Sequence, residues 1–428
     1  MLRAELEQDE VLIAAAPAAA AHSQRIVIAT FSVLLYQGYT MAINGIASPY
    51  VARSFALGES GLAQLFAWIS LSSIGAMILS RMADRVGRRQ ILLLCMTATP
   101  LLALSAAAAT NIVVYAVFEI FLFAFITASI SSSVVMLAEG MPMDQRAKGQ
   151  SYGGLALGLG GGLCVILVPL LTNAGYSWRW LLIVAGAGLL GVPFLRRALP
   201  ESERWQRAAA SGSTEQTRFY DVFAQPHRRR AIPILICSLL SMTTATAVGT
   251  WGYFHAVSVV GLSATMASAM MIAGGGMSML GLTLGAWGCE RFGRVPTVAC
   301  ASVLVAFGSL FFYWGPPAAF AHPALWMAIG FCWYMSAINA WMVGGNSAAT
   351  ELFPTALRGT MVGWFAIVQA IASISSQAVI AVLAEPLGGL SIVAGYLGLL
   401  AIPSAIIFFL FVDETRGLSL EASARESV

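Results

Sequence analysis

Ser80-Arg81-Met82-Ala83-Asp84-Arg85-Val86-Gly87-Arg88-Arg89 closes one long apolar block, and Ala286-Trp287-Gly288-Cys289-Glu290-Arg291-Phe292-Gly293-Arg294 closes another. Acid, Arg, Gly and Arg recur in the same order, with Glu290 standing 206 positions after Asp84. Two further stretches repeat. Glu139-x-x-Pro142-x-x-x-Arg146 returns as Glu351-x-x-Pro354-x-x-x-Arg358, 212 positions on. Pro200-Glu201-Ser202-Glu203-Arg204 returns as Asp413-Glu414-Thr415-Arg416, with Arg204 and Arg416 again 212 apart. Three motifs in one order at nearly constant offset mean that the chain duplicates a single unit.

Between the motifs lie apolar blocks. Of 428 residues, 58% are hydrophobic and 10% charged, against roughly 25% charged in a soluble domain. Blocks of about 20 residues cross a bilayer as helices. Twelve are predicted, over 25–51, 61–80, 91–109, 112–138, 148–172, 178–196, 231–254, 265–288, 296–315, 323–349, 360–384 and 390–412. Gly and Pro inside them are tolerated by bilayer helices. The expected fold is therefore an all-α integral membrane protein of two six-helix bundles, 25–196 and 231–412, related by a pseudo-two-fold axis. A polar linker, 197–230, joins them, and tails occupy 1–24 and 413–428. Parallel repeats of this kind place a substrate site near mid-membrane between the halves.

Charge sets the orientation. With both termini cytoplasmic, Arg53 and Arg179 are the outside cations and the other 21 of 23 Lys and Arg fall inside, as the positive-inside rule requires. A bacterial inner membrane is the expected location. Shifting the frame by one helix would export Arg81, Arg85, Arg88 and Arg89. The net charge of +3 thus reflects topology, and no nucleic-acid partner is read from it. Residues 1–24 read as a cytoplasmic tail, because Arg3 is outnumbered by Glu5, Glu7, Asp9 and Glu10 where a signal segment needs positive charge. The six cysteines form no metal-spaced set and read as packing residues. No Walker-type loop, metal cluster or nucleophile constellation occurs, so neither a cofactor, a metal nor an enzyme activity is expected.

These motifs resemble the major facilitator superfamily, over almost the whole chain. The Asp84-to-Arg89 loop is similar to that family's signature between helices 2 and 3. Pro200-Glu201-Ser202-Glu203-Arg204-Trp205, Glu351-Leu352-Phe353-Pro354-Thr355-x-x-Arg358-Gly359 and Asp413-Glu414-Thr415-Arg416-Gly417-Leu418-Ser419-Leu420 resemble the sugar-porter and organic-ion branch. Helix 1 looks most like the bacterial aromatic-acid and metabolite:proton symporters, which carry Asp-Gly-(Tyr/Phe)-Asp there. This chain reads Gln37-Gly38-Tyr39-Thr40, without either acid, and has Glu119 where those relatives usually have Arg in helix 4. The resemblance implies alternating access and an organic acid as substrate.

The paired loop charges suggest a gate. Carboxylates and guanidinium groups at helix ends form charge-assisted hydrogen bonds, each weak enough when wet to be broken and remade. Asp84, Arg85, Arg88, Arg89, Glu139 and Arg146 in the first half, with Glu290, Arg291, Arg294, Glu351 and Arg358 in the second, are expected to lock the cytoplasmic face. Gly87 and Gly293 would supply the tight turns. The plainer alternative is that these charges fix topology and solvate the loops.

Apart from Glu119, every charged side chain falls in a loop, a tail or near a helix end. An ionisable group deep in the bilayer costs on the order of 3 kcal/mol, so Glu119 is expected to look into the cleft between the bundles. Burial without a counter-charge favours the neutral form, which suits a proton carrier; contact with a cationic substrate is the other use. A protonated Glu bonded to a neighbouring helix would be the structural alternative. Polar residues at helical spacing mark cavity faces: Gln37, Thr40 and Asn44; Gln64, Trp68 and Ser72; Thr243, Thr246, Thr250 and Tyr253; Asn339 and Asn346; Gln369, Ser373 and Gln377. Hydroxyls in such positions also glue helices together. His255 is of a type that can titrate near neutral pH, but its place near the outer interface favours a structural reading. The glycine run from Gly153 to Gly162 lacks the Pro of a drug-antiporter motif and reads as close packing.

The reading is a secondary active transporter for a small organic solute, with proton-coupled uptake through Glu119. A proton-independent facilitator or exchanger of a neutral or cationic solute, and a non-transporting scaffold or sensor, are the alternatives. The partners are thus a small-molecule substrate, protons and lipid.

Overall fold

The computed structural model describes residues 2–141, 146–199, 220–225, 227–315 and 322–417, and every regular element among them is helical. The helices are α1 (Leu2–Ser54), α2 (Glu59–Ser70), α3 (Ser72–Val86), α4 (Arg88–Ala108), α5 (Ile112–Gly140), α6 (Arg146–Asn173), α7 (Arg179–Gly186) and α8 (Val192–Ala198). After the linker come α9 (Arg228–Phe254), α10 (Ala264–Arg291), α11 (Arg294–Trp314), α12 (Pro323–Glu351), α13 (Thr355–Leu387), α14 (Leu390–Gly398) and α15 (Ala401–Phe411). Eleven stretches among the described residues, from Gln24–Ser54 to Leu390–Phe411, are long and apolar enough to cross a bilayer. The remaining expected span coincides with α12, which is 29 residues long; its Trp, Tyr and Asn side chains lower its apolarity.

Three expected spans are broken, and local chemistry accounts for each break. Span 178–196 is α7, a 3₁₀ turn over Ala187–Gly191, and α8. Pro193 cannot donate to the Leu189 carbonyl, so the turn before it tightens. Pro403 does the same to Leu399, between α14 and α15. At the α2–α3 junction the Ser70 hydroxyl donates back to the Phe66 carbonyl at 2.9 Å, a bond that bends helices.

By packing, the chain divides into one unit of Met1–Ile43, Ser72–Leu167 and Tyr176–Thr214, and another of Asn44–Leu71, Val168–Gly175 and Glu215–Val428. In the first, Ala29 and Val33 of α1 meet Leu92 and Met96 of α4, Met136 of α5 and Leu195 of α8. In the second, Trp341, Phe353, Met361 and Phe408 join α12, α13 and α15 around Val222, which sits in a 3₁₀ turn just before α9. The surface carries large apolar side chains, Phe409, Leu410 and Phe411 among them, as a lipid-facing exterior requires.

Glycines set the closest helix contacts. A Cβ added at Gly160 of α6 would lie 2.7 Å from the Tyr39 nitrogen of α1, and one at Gly38 would lie 2.8 Å from the Leu157 Cα. The duplication reaches into this packing. Gly75 of α3 faces Ala124 of α5, where an added Cβ would lie 3.0 Å from the Ala124 Cβ. Gly281 of α10, 206 positions on, faces Ser336 of α12, 212 positions on, at 2.7 Å from the Ser336 carbonyl carbon. The loop-motif offsets and the helix-contact offsets are the same.

Candidate functional site

Glu119 lies on α5 two turns from its start, 2% exposed, and so is turned away from the surface. Tyr115, one turn earlier on the same face, is hydrogen-bonded to its carboxyl. The Tyr115 ring packs edge-on against Trp178 at 5.8 Å, just before α7. The Oε1 atom of Glu119 has no hydrogen-bond partner, and no ion pair reaches it among the described residues. The element holds its place by packing: α5 runs against both α3 and α4.

The polar side chains of the predicted cavity divide by what they touch. Gln37 is fully buried and donates from Nε2 to Ser129 Oγ at 3.0 Å, while its Oε1 has no partner. Gln377 accepts from the Trp251 indole at 2.8 Å, and Trp251 stacks edge-on with Phe66 at 5.3 Å. Asn44, Thr246, Thr250 and Asn339 are half-buried. Gln64, Asn346 and Gln369 are exposed, as is Trp68 at 61%. On α2 the buried face is Leu62, Ala63, Leu65, Phe66 and Ile69, so Gln64 and Trp68 share the opposite face. Three of the predicted hydroxyls serve neither as glue nor as free cavity donors. Thr40, Thr243 and Thr246 each donate to the carbonyl four residues back, the ordinary local alternative for a helical Thr. Cross-helix glue occurs at Ser241–Ser404, Thr244–Leu397 and Ser70–Ser373.

At the charged loops, Gly87 (φ 114°) and Gly293 (φ 111°) both stand immediately before a helix start. Such φ values favour glycine. Arg294 Nη2 binds Glu351 Oε1 at 3.0 Å, with the two side chains 22% and 19% exposed. Thr415 donates to the other Glu351 oxygen. Arg89 donates to the carbonyls of Arg196 and Leu199 at the end of α8, and Arg88 is half-buried at the start of α4. Arg85, Glu290 and Arg291 are exposed. The side chains of Asp84, Glu139, Arg146 and Arg358 lie outside the described residues.

Two acids matter that the sequence reading passed over. Glu414 accepts from the backbone nitrogens of Arg294 and Val295, both at 2.9 Å, and so caps α11 beside the Arg294–Glu351 pair. Its membership in a repeated tail motif was the available signal. Glu59 Oε2 accepts from the Leu390 nitrogen at 2.6 Å, capping α14. Nothing in the sequence pairs positions so far apart.

Residues 29–377 match the family model described as Major Facilitator Superfamily. The chain is 22% identical over 338 residues to a gentisate transporter of Corynebacterium glutamicum, covering 77% of this chain and 74% of that one. It is 27% identical over 205 residues to a gallate transporter of Pseudomonas putida, a match spanning 46% of this chain and 44% of that relative. A crystal structure of a D-xylose-proton symporter shares the fold, with a TM-score of 0.74 at 19% identity over 93% of this chain and 99% of that one.

Proposed function

The chain belongs to the Major Facilitator Superfamily, and on that premise we propose that it takes up a small organic solute by alternating access, driven by protons through Glu119. The observation that carries the proposal is the buried Glu119 carboxyl with an oxygen that lacks a partner. Hydrogen-bonded by Tyr115 and paired with no cation among the described residues, such a group exchanges a proton without breaking a salt bridge.

The substrate class we propose is a small hydroxylated organic molecule. Gallate and gentisate, named for two relatives, are hydroxylated aromatic acids, and the xylose of the structural neighbour is a hydroxyl-rich sugar. Amides suit hydroxyls, and the chain offers Asn44, Gln64, Asn339, Asn346 and Gln369, together with the free Oε1 of Gln37. Protons and lipid are the other partners. The proposed orientation puts both termini in the cytoplasm of a bacterial inner membrane, because that frame leaves 21 of 23 Lys and Arg inside. The Arg294–Glu351 pair, with its counterpart around Asp84 and Glu139, then acts as the cytoplasmic lock, and its partial exposure keeps it breakable.

A thermal-shift screen with gallate, gentisate, xylose and myo-inositol identifies the ligand, since a molecule bound only by the folded state raises apparent stability. With that ligand in proteoliposomes, Glu119→Gln is expected to abolish accumulation driven by a pH gradient and to spare exchange. Intact accumulation in the variant overturns the coupling role. Uptake by the wild type that ignores a collapsed gradient selects a facilitator instead.

A further inference from the structure

Gln37 anchors a polar knot that the packed core of the first unit leaves incomplete. Its amide reaches from α1 to α4 and α5, where Nε2 donates to Ser129 Oγ at 3.0 Å and to the Met96 sulfur at 3.3 Å. The other end of the amide, Oε1, has no partner. Nor have the hydroxyls of Thr99 on α4 and Ser133 on α5. Gln37, Thr99, Ser129 and Ser133 are all fully buried.

Position brings these three unpartnered groups together. Thr99 follows Met96 by three residues and Ser133 follows Ser129 by four. Each hydroxyl therefore shares a helix face with a residue that touches the amide, about 5–6 Å away. Only three residues connect α4 to α5, which makes them antiparallel neighbours, so Thr99 lies to one side of the amide and Ser133 to the other. Beyond them the same faces turn apolar. Leu92 and Ala103 on α4, with Ile126 and Leu137 on α5, are buried and close the patch at both ends.

An amide oxygen accepts up to two hydrogen bonds, and a hydroxyl both donates and accepts. Buried and left unmade, each such bond carries the full desolvation penalty of its group. Enclosed water meets this kind of deficit by bonding to about three polar groups at once. We propose that ordered water occupies this crossing, bonded to Gln37 Oε1 and to the hydroxyls of Thr99 and Ser133. Water donates to the amide oxygen and can both give and take a proton at each hydroxyl, so one kind of occupant serves all three. A cation is the poorer occupant, because the four side chains carry no charge to offset its burial. The site is distinct from Glu119, which stands ten residues from Ser129 on α5, past Ile126, or about 15 Å along the helix. Gln37 gives its oxygen to a solute hydroxyl only by releasing this water.

Radiolytic footprinting of the full chain in nanodiscs tests the site without solute or gradient, so its result stands apart from the coupling role of Glu119. X-ray pulses convert water to hydroxyl radicals, which oxidise the side chains beside it. Met96, in contact with the amide, is the built-in reporter, and Met327, likewise buried, is the dry standard. Met96 is expected to oxidise several-fold faster than Met327, and Gln37→Leu to bring it down to the Met327 rate. Should Gln37→Leu fail to fold, the melting of Thr99→Val and Ser133→Ala decides in its place. Deleting a hydroxyl that binds water lowers the melting point, whereas deleting one left unpaired in a dry core raises it. A Met96 rate no higher than that of Met327, a Met96 rate unchanged by Gln37→Leu, or melting of both hydroxyl variants above the wild type overturns the proposal.

Discussion

Adding one methyl group at Gly160 should destabilise the protein, while the same change two residues away at Gly158 or Gly162 should not. A Cβ at Gly160 would lie 2.7 Å from the Tyr39 nitrogen and 2.9 Å from the Leu35 carbonyl carbon, both backbone atoms of α1. Ordinary carbon contacts sit at about 3.5–4.0 Å, and the Leu35 carbonyl oxygen would lie closer than either of these atoms, so α1 must retreat by more than about 1 Å. Overpacking of this kind costs about 1–3 kcal/mol. Gly158 and Gly162 meet nothing within 4 Å. There Gly→Ala gains up to about 1 kcal/mol of helix propensity. Gly160→Ala and Gly158→Ala should therefore differ by about 1–4 kcal/mol in opposite directions from the wild type. Cys95, Cys164, Cys237 and Cys289 are buried free thiols, so a thiol-reactive dye reports their exposure as detergent-solubilised protein melts. Equal melting of the two variants would refute close packing as the reason for this glycine run.

Arg294→Glu and Glu351→Arg should each lower the melting point slightly and the combined swap should restore it, with a coupling of about 1 kcal/mol or less at this exposure. A double-mutant cycle checks this. Glu414→Ala removes the acceptor for two backbone N–H groups of α11 and should cost about 1–2 kcal/mol, as for other lost caps; Glu414→Gln should retain part of it in the same melt. Gln377→Leu strands the buried Trp251 indole N–H, a loss of about 1–3 kcal/mol, and Gln377→Glu, which keeps an acceptor, should melt closer to the wild type.

The fold was legible because duplication and apolar length are properties of the chain itself. Asp84 and Glu290 give one offset, Glu139 and Glu351 the other, and the same two numbers relate Gly75 to Gly281 and Ala124 to Ser336. What the sequence concealed is rotameric or long-range. Thr40 and Thr246 have cavity spacing, yet their hydroxyls turn back on their own helices, a choice fixed by χ1 and invisible to periodicity. Pro193 and Pro403 stand in plain view, but bilayer helices often carry Pro, and only packing shows where a helix tightens instead of continuing. Glu59 reads as a loop charge and Glu414 as part of a tail motif. Their partners, Leu390 and Arg294, lie in distant parts of the chain, and backbone nitrogens have no sequence signature.

The duplication also sharpens the meaning of Glu119. The offset that relates Glu139 to Glu351 carries Glu119 to Phe331 and Tyr115 to Met327. Phe331 is a core residue: 1% exposed, it stacks on Phe312 at 5.4 Å and stands 3.1 Å from a Cβ built at Gly252. In the second repeat this position is a slot for a ring and needs no polar group. The first repeat keeps the slot buried and puts a carboxyl in it, with Tyr115 supplying the hydroxyl where the second repeat has Met327. Packing alone cannot account for that exchange, since a buried acid costs more than any apolar residue of its size. Glu119→Met should therefore fold and melt at or above the wild-type temperature while losing accumulation driven by a pH gradient. A variant that loses stability and keeps accumulation would show the carboxyl to be a structural hydrogen-bonding group instead.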